Sequence, residues 1–307
     1  MDKKRRNLLI GSALLAPPII NKLVFFTATK KYPMLDAFHI YEWRLGKIGY
    51  SVKGSGKPIV LIHGAVPGSS SSVWRNNVNS LAENYKVYSL DLLGYGTSDR
   101  AKTTYTAYTY ASMIDDFVTD VIGKPAAVIA QGEGAVFAAA ACMKNPSNYK
   151  KLVFVCPKGI NDRLASKKDK RIRMLYELPI IGESLYLMKV SFSSVKKRML
   201  DMIYNSEKTK ILTDCFYSSA HYGGSKNRYV FASYKTNFMN MDIKPFLKEF
   251  KQKMLIIWGE YSKEIDNFEE LQYMTGKPEY ALFEDTADMP NYENPTEFNK
   301  LVKEFLK

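Results

Sequence analysis

The chain has 307 residues, of which 46% are hydrophobic, so it is not a disordered protein and is long enough for one large domain or two modest ones. It carries 44 Lys and Arg against 31 Asp and Glu, a formal net charge of +13, with only three Cys and three His. Cys142, Cys156 and Cys215 are too few and too widely spaced for a disulfide scaffold or a zinc module. We therefore predict no metal site and no cofactor.

The basic residues are concentrated in two segments. Residues 1–31 carry seven basic side chains against one acidic, and residues 158–245 carry 17 against 8. The remaining residues, 32–157 and 246–307, carry 20 against 22 and are close to neutral. The charge therefore bears on where the protein sits and what it meets, and not on its fold.

The N-terminus has the pattern of a targeting segment. The run Lys3-Lys4-Arg5-Arg6 precedes an apolar stretch over 8–20, and a second apolar patch covers 23–26. As a helix, residues 8–26 would measure about 28 Å, enough to cross a hydrocarbon core. We predict an uncleaved signal-anchor within 1–31, with the body outside the cytoplasm. Two alternatives remain open, namely a twin-arginine export signal and an amphipathic helix lying on a membrane or on the protein's own core.

From residue 38 onward, short β-branched or aromatic runs alternate with helical stretches, a pattern typical of a mostly parallel sheet covered by helices. The predicted strands cover 38–43, 47–52, 58–63, 86–91, 126–130, 152–156, 254–258 and 280–283. The predicted helices cover 74–83, 110–122, 134–144, 267–275 and 295–306.

Residues 158–245 interrupt this alternation and are rich in aromatic residues, Met and Lys. An insertion at the carboxyl edge of a parallel sheet can form a lid over a pocket, because ligands bind at that edge. We predict a cap over 158–245 between two parts of one core, 32–157 and 246–307. A structural helical subdomain with a solvated basic face explains the insertion equally well.

Five fragments, in this order and spacing, resemble the α/β-hydrolase superfamily over residues 38–307. They are Leu61-Ile62-His63-Gly64, the loop 91–100, Ala130-Gln131-Gly132-Glu133-Gly134, Trp258-Gly259-Glu260 and Glu293-Asn294-Pro295. In amino-acid sequence, the loop 91–100 is similar to the corresponding loop of pheophytinase and chlorophyll dephytylase relatives. The resemblance implies an eight-stranded, mostly parallel sheet with helices on both faces and a helical cap.

The same resemblance implies a catalytic triad, and all three of its positions are substituted here. The nucleophile on the strand-to-helix turn called the elbow falls on Gly132, the acid on Ser262 and the histidine on Asp288. The chain's three histidines, His39, His63 and His221, all lie elsewhere. A relocated base, either His63 or His221, is the less favoured interpretation.

Other groups at these positions keep some chemistry open. Glu133 and Asp288 lie on loops that converge in such a fold, and two neighbouring carboxyls can act as acid and base. The backbone N–H groups of Ala65 and Glu133 are candidate oxyanion donors. Cys156, at the end of a strand, is more simply a buried thiol.

We therefore expect a membrane-tethered protein of the α/β-hydrolase fold that is inactive as a serine hydrolase. Its pocket would bind a small apolar or acyl ligand, or its surface a protein partner of unknown kind. The alternative is an active ester or acyl hydrolase, or a lyase-like enzyme using Glu133 and Asp288. Nucleic acid is not expected as a partner, because the basic cap contains no recognition module. A basic cap beside an anchor is better suited to anionic lipid heads.

Overall fold

The computed structural model describes residues 18–29, 38–160, 168–272 and 278–307. Residues 1–17, which hold most of the predicted targeting segment, lie outside this part of the chain, as do the last residues of the helix predicted over 267–275.

Eight strands form one sheet in the order β1-β2-β4-β3-β5-β6-β7-β8. The pairs β1–β2 and β2–β4 are antiparallel, and every other neighbouring pair is parallel. The strands are β1 Phe38–Trp43, β2 Gly46–Lys53, β3 Lys57–Ile62, β4 Tyr85–Leu90, β5 Ala126–Gln131, β6 Tyr149–Val155, β7 Lys253–Gly259 and β8 Pro278–Phe283. The predicted fold class, an eight-stranded and mostly parallel α/β sheet, is confirmed.

The central strands are buried on both faces, as their uninterrupted apolar runs predict. In β3, Ile59, Val60, Leu61 and Ile62 are consecutive and all have 0% exposure. Such a run requires helices on both sides of the sheet, because successive side chains point to opposite faces. All the parallel strands end at one edge, so the loops that follow β3, β5, β6, β7 and β8 meet there.

The described helices begin with α1, which covers residues 18–29. Those of the core are α2 Val78–Leu81, α3 Ala107–Phe117, α4 Glu133–Lys144, α10 Lys244–Leu247, α11 Ile265–Gln272, α12 Pro290–Glu293 and α13 Pro295–Leu306. The cap helices, between β6 and β7, are α5 Lys170–Glu177, α6 Ile181–Lys189, α7 Phe192–Met202, α8 Thr209–His221 and α9 Asn227–Lys235.

The helix predicted over 74–83 is shorter than expected. A 3₁₀ turn covers Ser71–Trp74, and only α2, Val78–Leu81, is α-helical. Asn77 lies between them, and its side-chain amide donates to the carbonyl of Asn291 and to Oδ1 of Asn299, both at 2.9 Å. This buried Asn77 thus connects the loop to the C-terminal helices instead of continuing a regular helix.

Helix α1 packs on the cap. Its buried residues are Asn21, Phe25 and Ala28, and Phe25 joins a cluster formed by Tyr176, Tyr186, Val190, Ala220, Phe231 and Ala232. Asn21 also donates to Ser184 Oγ at 3.3 Å. Within the described ranges, no helix combines the length and the apolar character needed to cross a membrane. The predicted signal-anchor remains a prediction.

Candidate functional site

The elbow is formed where β5 meets α4. Gly132 adopts φ 55° and ψ −123°, a conformation that costs glycine little and strains any other residue. A Cβ placed on Gly132 would have only one heavy atom within 4 Å, Gly64 Cα at 3.9 Å. The position therefore has room for a side chain and carries none.

Glu133, the next residue, turns its carboxylate back toward the loop after β3. Its Oε2 accepts a hydrogen bond from the backbone N–H of Ala65 at 3.0 Å. Ala65 is one of the two predicted oxyanion donors, so this donor already holds an anion that belongs to the protein. The contact joins residues that lie 68 positions apart in the chain.

Ser262 and Asp288, at the predicted acid and histidine positions, are in direct contact. Ser262 Oγ donates to Asp288 Oδ1 at 2.5 Å. Burial raises the pKa of the Asp288 carboxyl, and this effect outweighs the opposing influence of Lys158 and Ser262. The backbone of Asp288 is held as well, because its N–H donates to the Met202 carbonyl and its carbonyl accepts from Gln131 Nε2. The loop after β8 is thereby fixed between the cap and β5.

Lys158, which follows β6, supplies positive charge to the same region. Its Nζ lies 2.6 Å from Glu264 Oε1. Burial lowers the pKa of Lys158, but the carboxylates of Glu264, Glu133 and Asp288 together raise it above its ordinary value. The ammonium ion therefore remains charged and compensates the acidic groups around it.

These residues line a cavity of about 250 Å³ between the sheet edge and the cap. Its core residues are Gly64, Val66, Ser69, Gln131, Gly132, Glu133, Cys156, Lys158, Lys263 and Asp288, and its cap residues are Arg198, Asp201, Met202, Phe216 and Tyr234. Gly132, Glu133 and Asp288 are thus brought together as predicted. Ser262 reaches the site through its contact with Asp288.

Arg198 is the cap's cation in this cavity. Its guanidinium donates to the carbonyls of Pro67 at 2.8 Å and Lys189 at 3.2 Å. Burial lowers its pKa. Among the described residues, no carboxylate lies within 4 Å of it. A partly buried guanidinium whose charge has no carboxylate partner favours an anionic ligand.

Neither of the two less favoured bases enters the cavity. His63 is fully buried, its Nε2 accepts the Leu92 N–H at 3.0 Å, and its Nδ1 lies 2.6 Å from the Gly64 carbonyl. Accepting at Nε2 requires the Nδ1–H tautomer, so the ring is neutral and both nitrogens are occupied. His221 is buried in the cap, where its Nδ1 lies 2.7 Å from the Tyr217 carbonyl and its ring packs against Phe25. His39, on the edge strand β1, stacks on Tyr50.

Three residues of the cavity were not predicted from the sequence, namely Lys158, Arg198 and Tyr234. Lys158 lies two residues beyond the predicted strand 152–156. Its position at the carboxyl edge of the sheet could therefore have identified it as a candidate site residue. Arg198 and Tyr234 belong to cap helices whose packing the sequence pattern does not specify.

Cys156 is buried, and burial raises the pKa of its thiol well above the ordinary value, as expected of an inert thiol.

A second cavity, of about 790 Å³, opens at the opposite edge of the sheet. It is lined by Pro58, Ile59, Tyr85, Pro125 and Leu306 and surrounded by Lys57, Lys124, Lys150, Lys151 and Lys307. None of the predicted site residues lines it. The smaller cavity at the elbow is therefore the candidate functional site.

Comparison with known proteins agrees with this fold. A family model for the alpha/beta hydrolase fold matches residues 57–177. An uncharacterized protein of Mycobacterium tuberculosis is 26% identical over 141 residues, which span 46% of this chain and only 39% of that protein. The 2-hydroxy-6-oxononadienedioate/2-hydroxy-6-oxononatrienedioate hydrolase of Escherichia coli K12 is 25% identical over 280 residues, covering 85% of this chain and 91% of its own.

Among solved structures, the crystal structure of a bacterial membrane phospholipase A superimposes with a TM-score of 0.70 at 18% identity. The match covers 98% of this chain and 94% of the other. Together with the sheet order and the elbow, these similarities show that the chain has the alpha/beta hydrolase fold.

Proposed function

We propose that this protein is a ligand-binding member of the superfamily that does not hydrolyse esters as a serine hydrolase. The observation that carries the proposal is the state of the elbow. Gly132 offers no nucleophile, and the Glu133 carboxylate accepts from the Ala65 N–H. An acyl-transfer intermediate develops negative charge on its oxygen and needs an N–H donor there. In this arrangement the oxygen would meet the negative Glu133 carboxylate instead.

The cavity supports a small acyl ligand with an anionic group. Phe216, Met202 and Val66 offer apolar contact, while Arg198 provides a partly buried positive charge. The E. coli relative is named for a dioate substrate, which is an acid of this general kind. A carboxylate on the ligand would replace the water that otherwise solvates the guanidinium, and its chain would fill the apolar part of the cavity.

Two measurements on the full chain test this function. A serine-directed fluorophosphonate and short acyl esters should give no labelling or turnover beyond that of the Ser262→Ala variant. Short-chain fatty acids should raise the melting temperature saturably, because a ligand that binds only the native state stabilises it. Arg198→Gln should abolish that rise, whereas Lys196→Gln, an exposed position on the same helix, should preserve it.

Ester turnover that disappears in Ser262→Ala would contradict the inactive assignment. An equal thermal shift in the wild type and Arg198→Gln would contradict the ligand class.

A second candidate function is acid–base catalysis of a lyase type by Glu133 and Asp288. It is favoured by one observation: both carboxyls line the same cavity, where burial raises the pKa of Asp288. Steady turnover of a bound acid that is lost in both Glu133→Gln and Asp288→Asn, with binding retained, would establish it. Saturable binding of the acid without turnover would rule out the lyase and support the ligand-binding function.

A further inference from the structure

Exposed apolar side chains are concentrated in two short segments of this protein. Among the described residues, 22 large hydrophobic side chains are exposed, and 13 of them lie in 18–29 or 172–200. A soluble surface usually carries such side chains singly, whereas grouped ones mark an interaction surface. The two segments are adjacent in space, since α1 packs on the cap through Phe25 and Asn21.

Helix α1 has an apolar face on each side. One face, with Phe25 and Ala28, is buried against the cap. The opposite face carries Ile19 at 64% and Leu23 at 61% exposure, four residues apart and therefore aligned along the helix. Packing on the cap thus accounts for only one of the two faces.

The neighbouring cap helices continue this apolar surface. On α6, Ile181 and Met188 are seven residues apart, which places them on the same helix face, and they are 55% and 67% exposed. Before them, Ile180 is exposed at a positive φ of 59°, which is unfavourable for a β-branched residue. At the corner between α5 and α6, Ile180 and Ile181 are therefore both exposed to solvent, and the backbone conformation of Ile180 is strained.

Positive charge accompanies the apolar side chains. Residues 170–200 carry seven basic side chains against two acidic ones. Both carboxylates are neutralised by salt bridges, Glu177 with Arg173 and Glu183 with Arg228. The exposed cations in this region are Lys22, Lys170, Arg171, Lys189, Lys196 and Lys197.

We propose that the outer faces of α1 and of α5–α7 form a docking surface for a bilayer containing anionic phospholipids, on which the protein lies without residues 18–29 crossing the membrane. Apolar side chains would enter the interface while the interspersed lysines and arginines meet lipid phosphates. A fluid bilayer accommodates an uneven set of exposed side chains, whereas a protein partner would need a fixed complementary shape with acidic groups.

The test is cosedimentation of the full chain with vesicles of phosphatidylcholine, with and without phosphatidylglycerol. We expect the anionic vesicles to bind more tightly, and binding to weaken as salt rises from about 0.1 M to about 1 M. The triple variant Lys170→Gln/Arg171→Gln/Lys189→Gln should weaken binding by about fivefold per cation removed.

Two apolar pairs on different helices, Ile19→Glu/Leu23→Glu and Ile181→Glu/Met188→Glu, should each weaken binding at least as much. The matched control, Tyr108→Glu/Ile211→Glu, changes exposed side chains outside these segments and should bind like the wild type.

Wild-type binding by both apolar pairs, each folded by its melting curve, would overturn the proposal and assign any membrane binding to residues 1–17. If one pair fails to fold, the other pair decides. The proposal would also be overturned if the wild type formed dimers without vesicles and the same two double variants were monomeric. The exposed apolar surface would then bind a second copy of the chain.

Discussion

Two glycines at the elbow serve different physical purposes, although they are separated by one residue. Gly132 permits a positive φ in open space, whereas Gly134 permits close approach of the helix to the strand. A Cβ on Gly134 would lie 2.5 Å from the carbonyl oxygen of His63, a distance that backbone atoms cannot tolerate. The elbow therefore depends on Gly134 for packing and on Gly132 for conformation.

Alanine substitution separates these two roles. Gly132→Ala should lower the free energy of unfolding by about 1–2 kcal/mol, the cost of a positive φ for a residue with a Cβ. Gly134→Ala should cost more, about 2–3 kcal/mol, because backbone must move. Gly123→Ala is the matched control for Gly132→Ala, with φ 69° and no atom within 4 Å. Urea unfolding measures all three, and an equal loss at 132 and 134 would contradict the assignment of a steric role to Gly134.

The raised pKa of Asp288 gives a prediction for pH dependence. Because the pKa is higher in the folded state than in the unfolded chain, ionisation disfavours folding. Below the ordinary carboxyl pKa both states are protonated and nothing is lost, and the loss is complete above the folded pKa. Asp288→Asn should therefore be more stable than the wild type at neutral pH, with the difference vanishing in acid. Thermal melts across pH measure this, with the exposed Asp266→Asn as control for net charge; a difference that grows on acidification would refute it.

Glu293, at the end of α12, connects the cap to the core through its carboxylate. This carboxylate is buried, and its Oε1 accepts the N–H of Ala287 at 2.8 Å. Its Oε2 accepts the N–H groups of Tyr204 at 2.8 Å and Asn205 at 3.1 Å. A single side chain thus joins the end of cap helix α7 to the loop that carries Asp288.

Glu293→Gln should loosen that connection. The amide nitrogen that replaces one oxygen cannot accept, so at least one buried N–H loses its partner, at a cost of about 1–3 kcal/mol. We expect a lower urea midpoint and faster proteolysis in the segment after α7. Glu304→Gln on the exposed side of α13 is the control, and equal proteolysis of the two variants would argue against this role.

For the molecule as a whole, α1 completes the cap. Phe25 belongs to the same buried cluster as Tyr176, Tyr186 and Phe231, and its ring centroid lies 5.8 Å from that of His221. The N-terminal helix therefore contributes to folding as well as to the proposed membrane surface.

Phe25→Ala should destabilise the cap by about 2–3 kcal/mol, below the ~3–5 kcal/mol found in protein cores, because the cluster is small and peripheral. Without vesicles, Leu23→Ala on the opposite face of α1 should change stability by less than about 0.5 kcal/mol. Hydrogen exchange of the α6 and α8 amides would show the difference. Unchanged exchange in Phe25→Ala would mean that α1 does not support the cap.

The sequence predicted the sheet well because its signals are local. Buried parallel strands appear in the sequence as continuous apolar runs, and all eight predicted strands end within one residue of the observed end. The larger differences are at two starts, because β6 begins three residues and β8 two residues before the predicted position. Gly132, Ser262 and Asp288 were located by their offsets from those strands. Their residue types are the basis of the proposal that the protein is inactive as a serine hydrolase.

Only the tertiary structure decided what those positions do together. Ala65 and Glu133 are 68 residues apart, Pro67 and Arg198 are 131 apart, and Asn21 and Ser184 are 163 apart. Contacts across such separations depend on side-chain direction and helix packing, which a residue pattern does not contain. The sequence by itself put Gly132, Ser262 and Asp288 at the positions where the resemblance implies a nucleophile, an acid and a histidine. The fold decided that the Glu133 carboxylate accepts from the Ala65 N–H, that Arg198 lines the cavity, and that α1 lies on the cap.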